Sequence, residues 1–438
     1  MDKIISLCKR RGFIFPGSEI YGGMANSWDY GPLGVELKNN IKKEWWRRFV
    51  QGRPDVVGID TALIMNPKVW EASGHVSNFS DPLVECKKCH QRFRADHVDG
   101  KKCPECEGAL TDPRQFNMMF KTFIGPAEDQ ANTAYFRPET AQGMFVNFKN
   151  VLDTSRKRLP FGIAQIGKAF RNEITPGNYI FRTREFEQME IEYFIPQPEK
   201  DEDWEKYFNM WLDEMKQWLR DLGVSDKKLH YKDIPDGERA HYSKRTVDVE
   251  YDFPFGQREL YGLAYRADFD LKNHSEYSNA DLQYTDPETG KKYLPHVIEP
   301  TWGVDRSLLV AILEAYHEDN APTSDKGETE TRVVLKFPKW LAPVKVAILP
   351  LSKKDELSGE AKKLFEDLSK NFVCEYDETQ SIGKRYRRQD EIGTPYCVTV
   401  DFDSLEDKKV TVRDRDTMEQ ERISIDELKE YLREKINS

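Results

Sequence analysis

The sequence has no apolar run near the ~20 residues that a membrane-spanning helix needs. Its start, MDKIISLCKRRGFIF, is basic, but the apolar stretch is too short and too interrupted for a signal peptide. The expectation is a soluble, cytoplasmic chain with no membrane partner. Cysteine is scarce: seven in 438 residues, an odd number with four clustered, which makes a poor disulfide framework. Positive charge is not in excess. A formal charge of −10 excludes a wholly basic nucleic-acid coat and leaves room only for local basic patches. There is no internal repeat and no low-complexity tract. Neither common glycine-rich phosphate loop occurs, GxxxxGK[ST] or a strand-linked GxGxxG. A bound nucleotide would therefore be held by side chains on a sheet.

What is present suffices for two or three domains with sizeable cores, since 38% of residues are hydrophobic. GPLGVELKNNIKKEWWRRFV reads as a helix, with Leu37, Ile41, Trp45 and Phe49 recurring every fourth residue as one apolar stripe. DVVGIDTALIMNPKVW follows as a strand-like run ending at Pro67. DEDWEKYFNMWLDEMKQWLRDL reads as an amphipathic helix, with Trp204, Phe208, Trp211, Met215 and Leu219 at spacings of three and four. The polar stretch HEDNAPTSDKGETE, 318–331, reads as a loop or linker, with a domain boundary between Pro338 and Pro343. Beyond it, VKVAILPL, KDELSGEAKKLFEDLSK, CVTVDF, KKVTVRDRD and IDELKEYLREKI alternate strand and helix, which predicts a compact α/β domain of about 95 residues.

The stretch FRNEITPGNYIFRTREFEQMEIEYF, 170–194, crowds charges of both signs among aromatic and aliphatic residues. It reads as two strands around a TPGN turn. Alternation puts Met189, Ile191 and Tyr193 on a packing face of the second strand, and Arg184, Phe186, Gln188, Glu190 and Glu192 on the other. Arg171 and Glu173 then share a face of the first strand. Glu185 and Glu187 fall on the packing side without an evident partner. As a ligand platform, the arginines suit phosphates through forked hydrogen bonds, Phe186 suits the face of a base, and the carboxylates suit an ammonium group or a metal. The alternative is a salt-bridged surface sheet.

These residues resemble the class II aminoacyl-tRNA synthetases. RNE at 171–173 with FRTREF at 181–186 is similar to the second signature motif of that class, and GVDRSLL at 303–309 to the third. The helix at 35–49 with the strand ending at Pro67 resembles the first, which builds the dimer interface. Within the class, WDYGPLG, SGHVSNFSDP, FRADH, FRPETAQGMFVNF and HVIEPTWGVDR resemble the homodimeric glycyl-tRNA synthetases up to about residue 315. The remainder resembles their anticodon-binding domain.

The resemblance implies an α/β (α+β) fold: a class II antiparallel-sheet catalytic domain over 1–335 and an α/β anticodon-binding domain over 340–438. The first would carry a zinc-ribbon-like insertion at 84–112 and a helical insertion at 197–243. It implies activation of glycine with ATP and Mg²⁺ to glycyl-adenylate, transfer to the 3′ end of tRNA(Gly), and a homodimer. By the same resemblance, Arg171 holds the ATP α-phosphate, and Phe186 and Arg306 sandwich adenine, the latter by cation–π stacking. Arg171 and Arg306 are the catalytic residues. Glu173 reads the adenine amino group, and Arg182 or Arg184 reaches the outer phosphates. Asn172, Phe181, Thr183 and Glu185 complete the second motif's ATP stretch, as Gly303, Val304 and Asp305 complete the third's. Glu259 and Leu260 lie at ATP contacts, the carboxylate through Mg²⁺. Glu139, Glu190 and Glu299 surround the glycine ammonium, with Arg94 and Arg266 near its carboxylate. Glu187, Gln188, Met189, Pro300, Thr301 and Trp302 flank the same pocket. Thr301 stands where the family more often has serine, keeping the hydroxyl and adding a methyl. Neither chemical step demands a protein nucleophile; positioning and charge stabilisation supply the catalysis. Glycine has no side chain to grip, so its charged ends must provide affinity and exclusion of larger amino acids must provide selectivity.

Cys86-x2-Cys89, thirteen residues, then Cys103-x2-Cys106 is a zinc-ribbon spacing, and four thiolates close a structural Zn²⁺ site. The alternative is four unliganded thiols. His90 and His97 are surplus to that site, and Cys8, Cys374 and Cys397 read as isolated buried thiols. SIGKRYRRQDEIGTPY, 381–396, interleaves basic residues with Tyr386: either an RNA contact that stacks a base or a charged, solvated helix. Two other readings compete with glycine–tRNA ligation. One is an adenylating relative that charges no tRNA. The other is a non-catalytic zinc-ribbon nucleic-acid-binding protein, which would leave both charged clusters idle.

Overall fold

The computed structural model describes residues 1–98, 100–322 and 329–437. Its larger sheet has seven strands: Val56–Gly58 (β1), Phe161–Phe170 (β2), Glu185–Ile195 (β3), Leu229–Asp233 (β4), Arg245–Phe253 (β5), Gly256–Ala267 (β6) and His296–Gly303 (β7). Their order across the sheet is β4-β5-β6-β7-β3-β2-β1. Every neighbouring pair is antiparallel except β1 with β2.

Alternation along β3 divides the sheet into two faces. Met189, Ile191 and Tyr193 are buried on the back. There they meet the helices Pro32–Trp46, Asp201–Asp221 and Val304–Ala315. Pro32 suits the first position of its helix, where no backbone donor is required. The predicted stripe Leu37, Ile41, Trp45 and Phe49 is fully buried, as are Phe208, Trp211, Met215 and Leu219. Trp302 of β7 is the hub of this layer, 5.5 Å from Trp45 and 5.0 Å from Phe49 by ring centroids. Buried aromatics of this size each contribute about 1.5–3 kcal/mol.

The front face is covered at one end only. The helices Ala141–Val146 and Phe148–Ser155 lay Phe145 and Phe148 over Phe161 and Phe194 in a separate apolar cluster. The end carrying Phe186, Gln188 and Glu190 stays open as a cavity.

Several expectations are corrected. The run ending at Pro67 is a strand only over Val56–Gly58; Pro67 instead opens the helix Pro67–Ala72, with Asn66 capping Lys68 N at 3.0 Å. The ribbon is not a tight hairpin. β2 stops at Phe170, so Arg171 and Glu173 lie on an excursion over 171–184 that contains the turn Tyr179–Phe181. The 197–243 segment is not a separate helical insertion. Its helix packs beneath the main sheet, Leu229–Asp233 is an edge strand of that sheet, and 234–244 runs beside the cavity. The stretch 318–331 is not a linker: Tyr316–Pro322 pairs with Thr329–Leu335 as an antiparallel hairpin, and 323–328 lie outside the described residues.

The carboxyl-terminal α/β unit matches its prediction. Its five strands run Cys374–Tyr376, Val346–Pro350, Tyr396–Val400, Lys409–Asp414 and Gln420–Ser424 across the sheet. Val346–Pro350 is buried throughout. Val346, Ile348, Leu357, Ala361, Val398 and Leu432 belong to its own core. The hairpin is tied to this unit by Arg332, which pairs with Asp319 (2.6 Å), reaches the Arg415 carbonyl (2.8 Å) and faces Asp390 (3.4 Å). Most of the basic segment at 381–396 turns inward on the helix Ile382–Ile392. Arg385 donates to the Pro350 carbonyl (2.6 Å), Arg388 pairs with Asp377, and the Tyr386 hydroxyl bonds Thr399 (2.7 Å). Tyr386 thus closes a core contact and does not present its ring as a platform for a base. No helix among the described residues is long and apolar enough to cross a membrane.

Candidate active site

The cavity on the front face has a volume of about 760 Å³, within the ~300–1,000 Å³ typical of ligand pockets. Register assembles its floor. Glu190 on β3 lies opposite Thr301 on β7, which lies opposite Gly262 on β6; Gln188 lies opposite Gly303. A Cβ on Gly262 would meet nothing within 4 Å, so that wall is open space.

One end of the cavity is rich in carboxylates. Thr301 donates its hydroxyl to Glu190 at 2.9 Å, and Thr140 donates to the other oxygen. Glu139 accepts from Gln142 (3.0 Å) and faces His75 Nε2 (3.3 Å). Glu299 meets Arg266 at 2.6 Å. Burial pushes Glu190 up, and the nearby Glu139 charge adds to it. Burial also works to raise Glu139, but His75 and then Arg266 outweigh it and hold that carboxyl below its usual range. Glu299 is raised by burial against the pull of Arg266. Behind them, Glu192 is fully buried, and neither of its oxygens has a hydrogen-bond partner among the described residues. Burial, then the Glu299 charge, holds it well above the carboxylate range.

The other end is cationic and aromatic. Arg171 hangs between two rings, its guanidinium carbon 5.3 Å from the Phe186 centroid and 5.4 Å from Phe79, and its Nε donates to the Pro138 carbonyl (3.0 Å). Arg306, opening the helix after Gly303, stacks over Phe181 at 4.4 Å and pairs with Glu259 at 3.3 Å. Glu173 borders the same space with one buried oxygen lacking a hydrogen-bond partner among the described residues. Arg182 is lowered by burial and by its neighbours Arg306 and Arg94, although Glu173 and Glu259 oppose this. Like charges gathered at so small a site are a cost unless an anion joins them.

Most residues singled out from sequence meet here: Arg94, Glu139, Arg171, Glu173, Phe181, Arg182, Thr183, Phe186, Gln188, Glu190, Glu259, Leu260, Glu299, Thr301, Gly303 and Arg306 all line the cavity. Others do not serve it. Met189, Trp302 and Val304 are buried in the core behind the sheet, and Pro300 alternates away from the cavity between Glu299 and Thr301. Glu187 and Asp305 border the cavity but spend their carboxylates on Lys38, at 3.1 and 3.0 Å. Glu187 also reaches Lys42 (3.2 Å) and Glu185 pairs with Lys168, so both have the partners that sequence left open. Arg184 and Glu185 line a neighbouring cleft, and Asn172 donates its backbone N–H to the Met118 carbonyl (2.8 Å). Arg266 is the main correction: it lies behind the wall with no exposed face, engaged by Asp270 (2.7 and 2.8 Å) and Glu299. It neutralises buried carboxylates and offers nothing to a ligand carboxylate. Arg94 lines the wall, but Asp81 and Asp96 both pair with it at 2.7 Å. Sequence reading missed Tyr242, Arg239 and Asp248, which also line the cavity. The loop carrying the first two has no periodicity to betray it.

Apart from the cavity, the four cysteines converge as their spacing predicts. Cys86 and Cys106 sulfurs lie 3.5 Å apart, Cys89 and Cys103 3.6 Å apart. Four thiolates at ~2.3 Å from a tetrahedral Zn²⁺ stand ~3.8 Å from one another. A Cβ on Gly108 would come within 2.9 Å of Cys86 Sγ, so glycine is required to let the second knuckle close. The donor set fits zinc.

Two family models match the chain: "tRNA synthetase class II core domain (G, H, P, S and T)" over residues 120–316 and "Anticodon binding domain" over 345–435. An antiparallel sheet with Arg171, Phe186 and Arg306 around one cavity, joined to that second domain, defines a class II aminoacyl-tRNA synthetase. The glycine–tRNA ligase of Alkaliphilus oremlandii is 56% identical over 100% of this chain and 98% of its own length. Those of Staphylococcus saprophyticus and Thermobifida fusca are 55% and 54% identical, again over 100% of this chain and 99% and 98% of theirs. This chain belongs to the glycine–tRNA ligase family.

Proposed function

We propose that the front cavity activates glycine with ATP to glycyl-adenylate and then passes glycine to the 3′ end of tRNA(Gly). The observation that carries this reading is the division of one cavity into a carboxylate end and an arginine–aromatic end. Glu139, Glu190 and Glu299 receive the glycine ammonium. Phe186 and Arg306 hold adenine between them, and the orphaned Glu173 oxygen accepts from its amino group. Arg171 holds the α-phosphate, with Arg182 toward the outer phosphates. Arg94 is the remaining candidate for the glycine carboxylate, at the expense of one of its two aspartate contacts.

Glycine's carboxylate oxygen attacks the α-phosphorus; the bond to the bridging oxygen breaks, and pyrophosphate leaves with the electron pair. The terminal tRNA hydroxyl then attacks the acyl carbon; the bond from that carbon to the phosphate oxygen breaks, and AMP leaves with the electron pair, its phosphate taking up the hydroxyl proton. Arg171 acts in both steps by stabilising charge on the phosphoryl oxygens. Glu259, with Asp248 on the same wall, supplies oxygen ligands suited to Mg²⁺, which would screen the outer phosphates. A structural Zn²⁺ at Cys86, Cys89, Cys103 and Cys106, the 340–438 unit as anticodon reader, a cytoplasmic location and a homodimer belong to the same reading. The dimer is supported by exposed apolar Leu63 and Ile64 on the segment after β1. Sedimentation of the chain at twice 51.2 kDa would bear it out, and a monomer at micromolar concentration would refute it. Glycine-dependent ATP–pyrophosphate exchange, followed by charging of tRNA(Gly), tests the activity itself.

A further inference from the structure

The segment 234–244, between β4 and β5, has no part in the roles above, yet Ile234, Arg239 and Tyr242 line the cavity. Both ends are anchored: the Ile234 N–H donates to the Thr246 carbonyl at 2.9 Å, and the Lys244 N–H to the Tyr265 carbonyl at 2.7 Å. Its centre is anchored as well. His241 Nε2 lies 3.3 Å from the Ser73 carbonyl, and its ring packs edge-on against Phe269 at 5.4 Å.

Tyr242 is the next residue. Its ring lies on the Arg266 guanidinium, 3.7 Å from centroid to carbon. Arg266 cannot withdraw, because Asp270 and Glu299 hold it from both sides in a fully buried site. Burial, then the Glu299 charge, keeps the Tyr242 phenol well above its ordinary value, so the group stays neutral. The ring is therefore fixed on an immobile platform beside Glu299 and Glu139. Strand β6 contributes no comparable barrier, since the space above Gly262 is open.

We infer that Tyr242 is a specificity-determining residue: its ring is the ceiling that closes the glycine pocket against an α-carbon substituent directed at it, on the side away from the open space above Gly262. This rests on the placement of the glycine ammonium at Glu139, Glu190 and Glu299. Three carboxylates would bind the ammonium of any amino acid, so discrimination must be steric, and a stacked ring yields little to a methyl group. Glycine passes beneath it; alanine must push it off Arg266.

The test is ATP–pyrophosphate exchange with glycine and with alanine, on the full-length wild type, Tyr242→Ala and Tyr242→Phe. The alanine-to-glycine ratio of kcat/KM should rise at least about tenfold in Tyr242→Ala, the scale on which a pocket weighs one methyl group. It should stay within about threefold of wild type in Tyr242→Phe, which keeps the ring. An unchanged ratio in a Tyr242→Ala enzyme that still activates glycine overturns the inference. If that variant does not fold, Tyr242→Leu, shown folded by its thermal melt, carries the same comparison, and an unchanged ratio there overturns the inference equally. Glu299→Gln separates the underlying placement: wild-type glycine KM in that variant rejects the ammonium site itself, whatever Tyr242 does.

Discussion

Thr301 donates its hydroxyl to Glu190 across the β7–β3 pair, 2.9 Å from oxygen to oxygen, in the row that also holds Gly262. The hydroxyl, not the extra methyl, is what the pocket uses. Thr301→Val leaves a buried carboxyl short of one donor, a loss of about 1–3 kcal/mol. Glycine KM should rise roughly tenfold in steady-state exchange, whereas Thr301→Ser should stay within about twofold. Equal KM values for the two variants would remove the hydroxyl from the account.

Asp248 gives the pH prediction. Burial, then Glu259 and Glu250, raises its carboxyl to about 7 from an ordinary 3.8. The folded state therefore holds a proton that the unfolded state has lost, and stability from this group falls as pH rises from about 4 to about 7. Asp248→Asn removes the penalty. Measured without Mg²⁺, its melting temperature should exceed wild type most at pH 8, by less at pH 5, and converge with it toward pH 4. A gain at pH 5 that vanishes at pH 8 would reverse the sign.

Strand alternation explains how much could be read ahead of the structure. It separated Met189, Ile191 and Tyr193 from Gln188, Glu190 and Glu192 correctly, because a central strand has only two sides. It misread 171–184, where it put Arg171, Glu173 and Arg184 on strands, and said nothing about 234–244; the shape of both is set by distant partners such as Phe79 and the Ser73 carbonyl. Motif windows also swept in residues from both faces, which is why Met189, Trp302 and Val304 were expected at the site and lie in the core. Arg266 shows a further limit. Its charge was legible, but the three carboxylates around it, Glu139, Asp270 and Glu299, come from distant parts of the chain or from a helix one turn ahead.

The sulfur geometry supports the proposed Zn²⁺ site. Protein purified without added metal should carry about one equivalent of zinc by elemental analysis, and Cys103→Ser should lose it. The small sheet of Ser80–Glu85, Arg92–Arg94 and Arg114–Asn117 should then exchange its amides faster while the main sheet does not. Wild-type protein with well under a tenth of an equivalent would contradict the site.

Asp390 ties the carboxyl-terminal unit to the 316–335 hairpin. It is fully buried, bonds Arg413 at 2.9 and 3.1 Å and faces Arg332 at 3.4 Å. Asp390→Ala leaves the buried Arg413 guanidinium without a carboxylate among the described residues and Arg332 with Asp319 alone, a loss of about 3–5 kcal/mol. The carboxyl-terminal unit should melt earlier in calorimetry, and proteases should find the hairpin more readily. An unshifted melt would show that the arginines do not depend on it.

The most direct measurement is glycine-dependent ATP–pyrophosphate exchange by wild type and by Arg171→Ala, with tRNA(Gly) charging measured on the same preparations. Wild type should exchange and charge; Arg171→Ala should lose exchange by a factor of ~10² or more while keeping its circular dichroism and melt. Wild-type protein that is folded yet silent with glycine, or an Arg171→Ala enzyme that exchanges at the wild-type rate, would contradict the account.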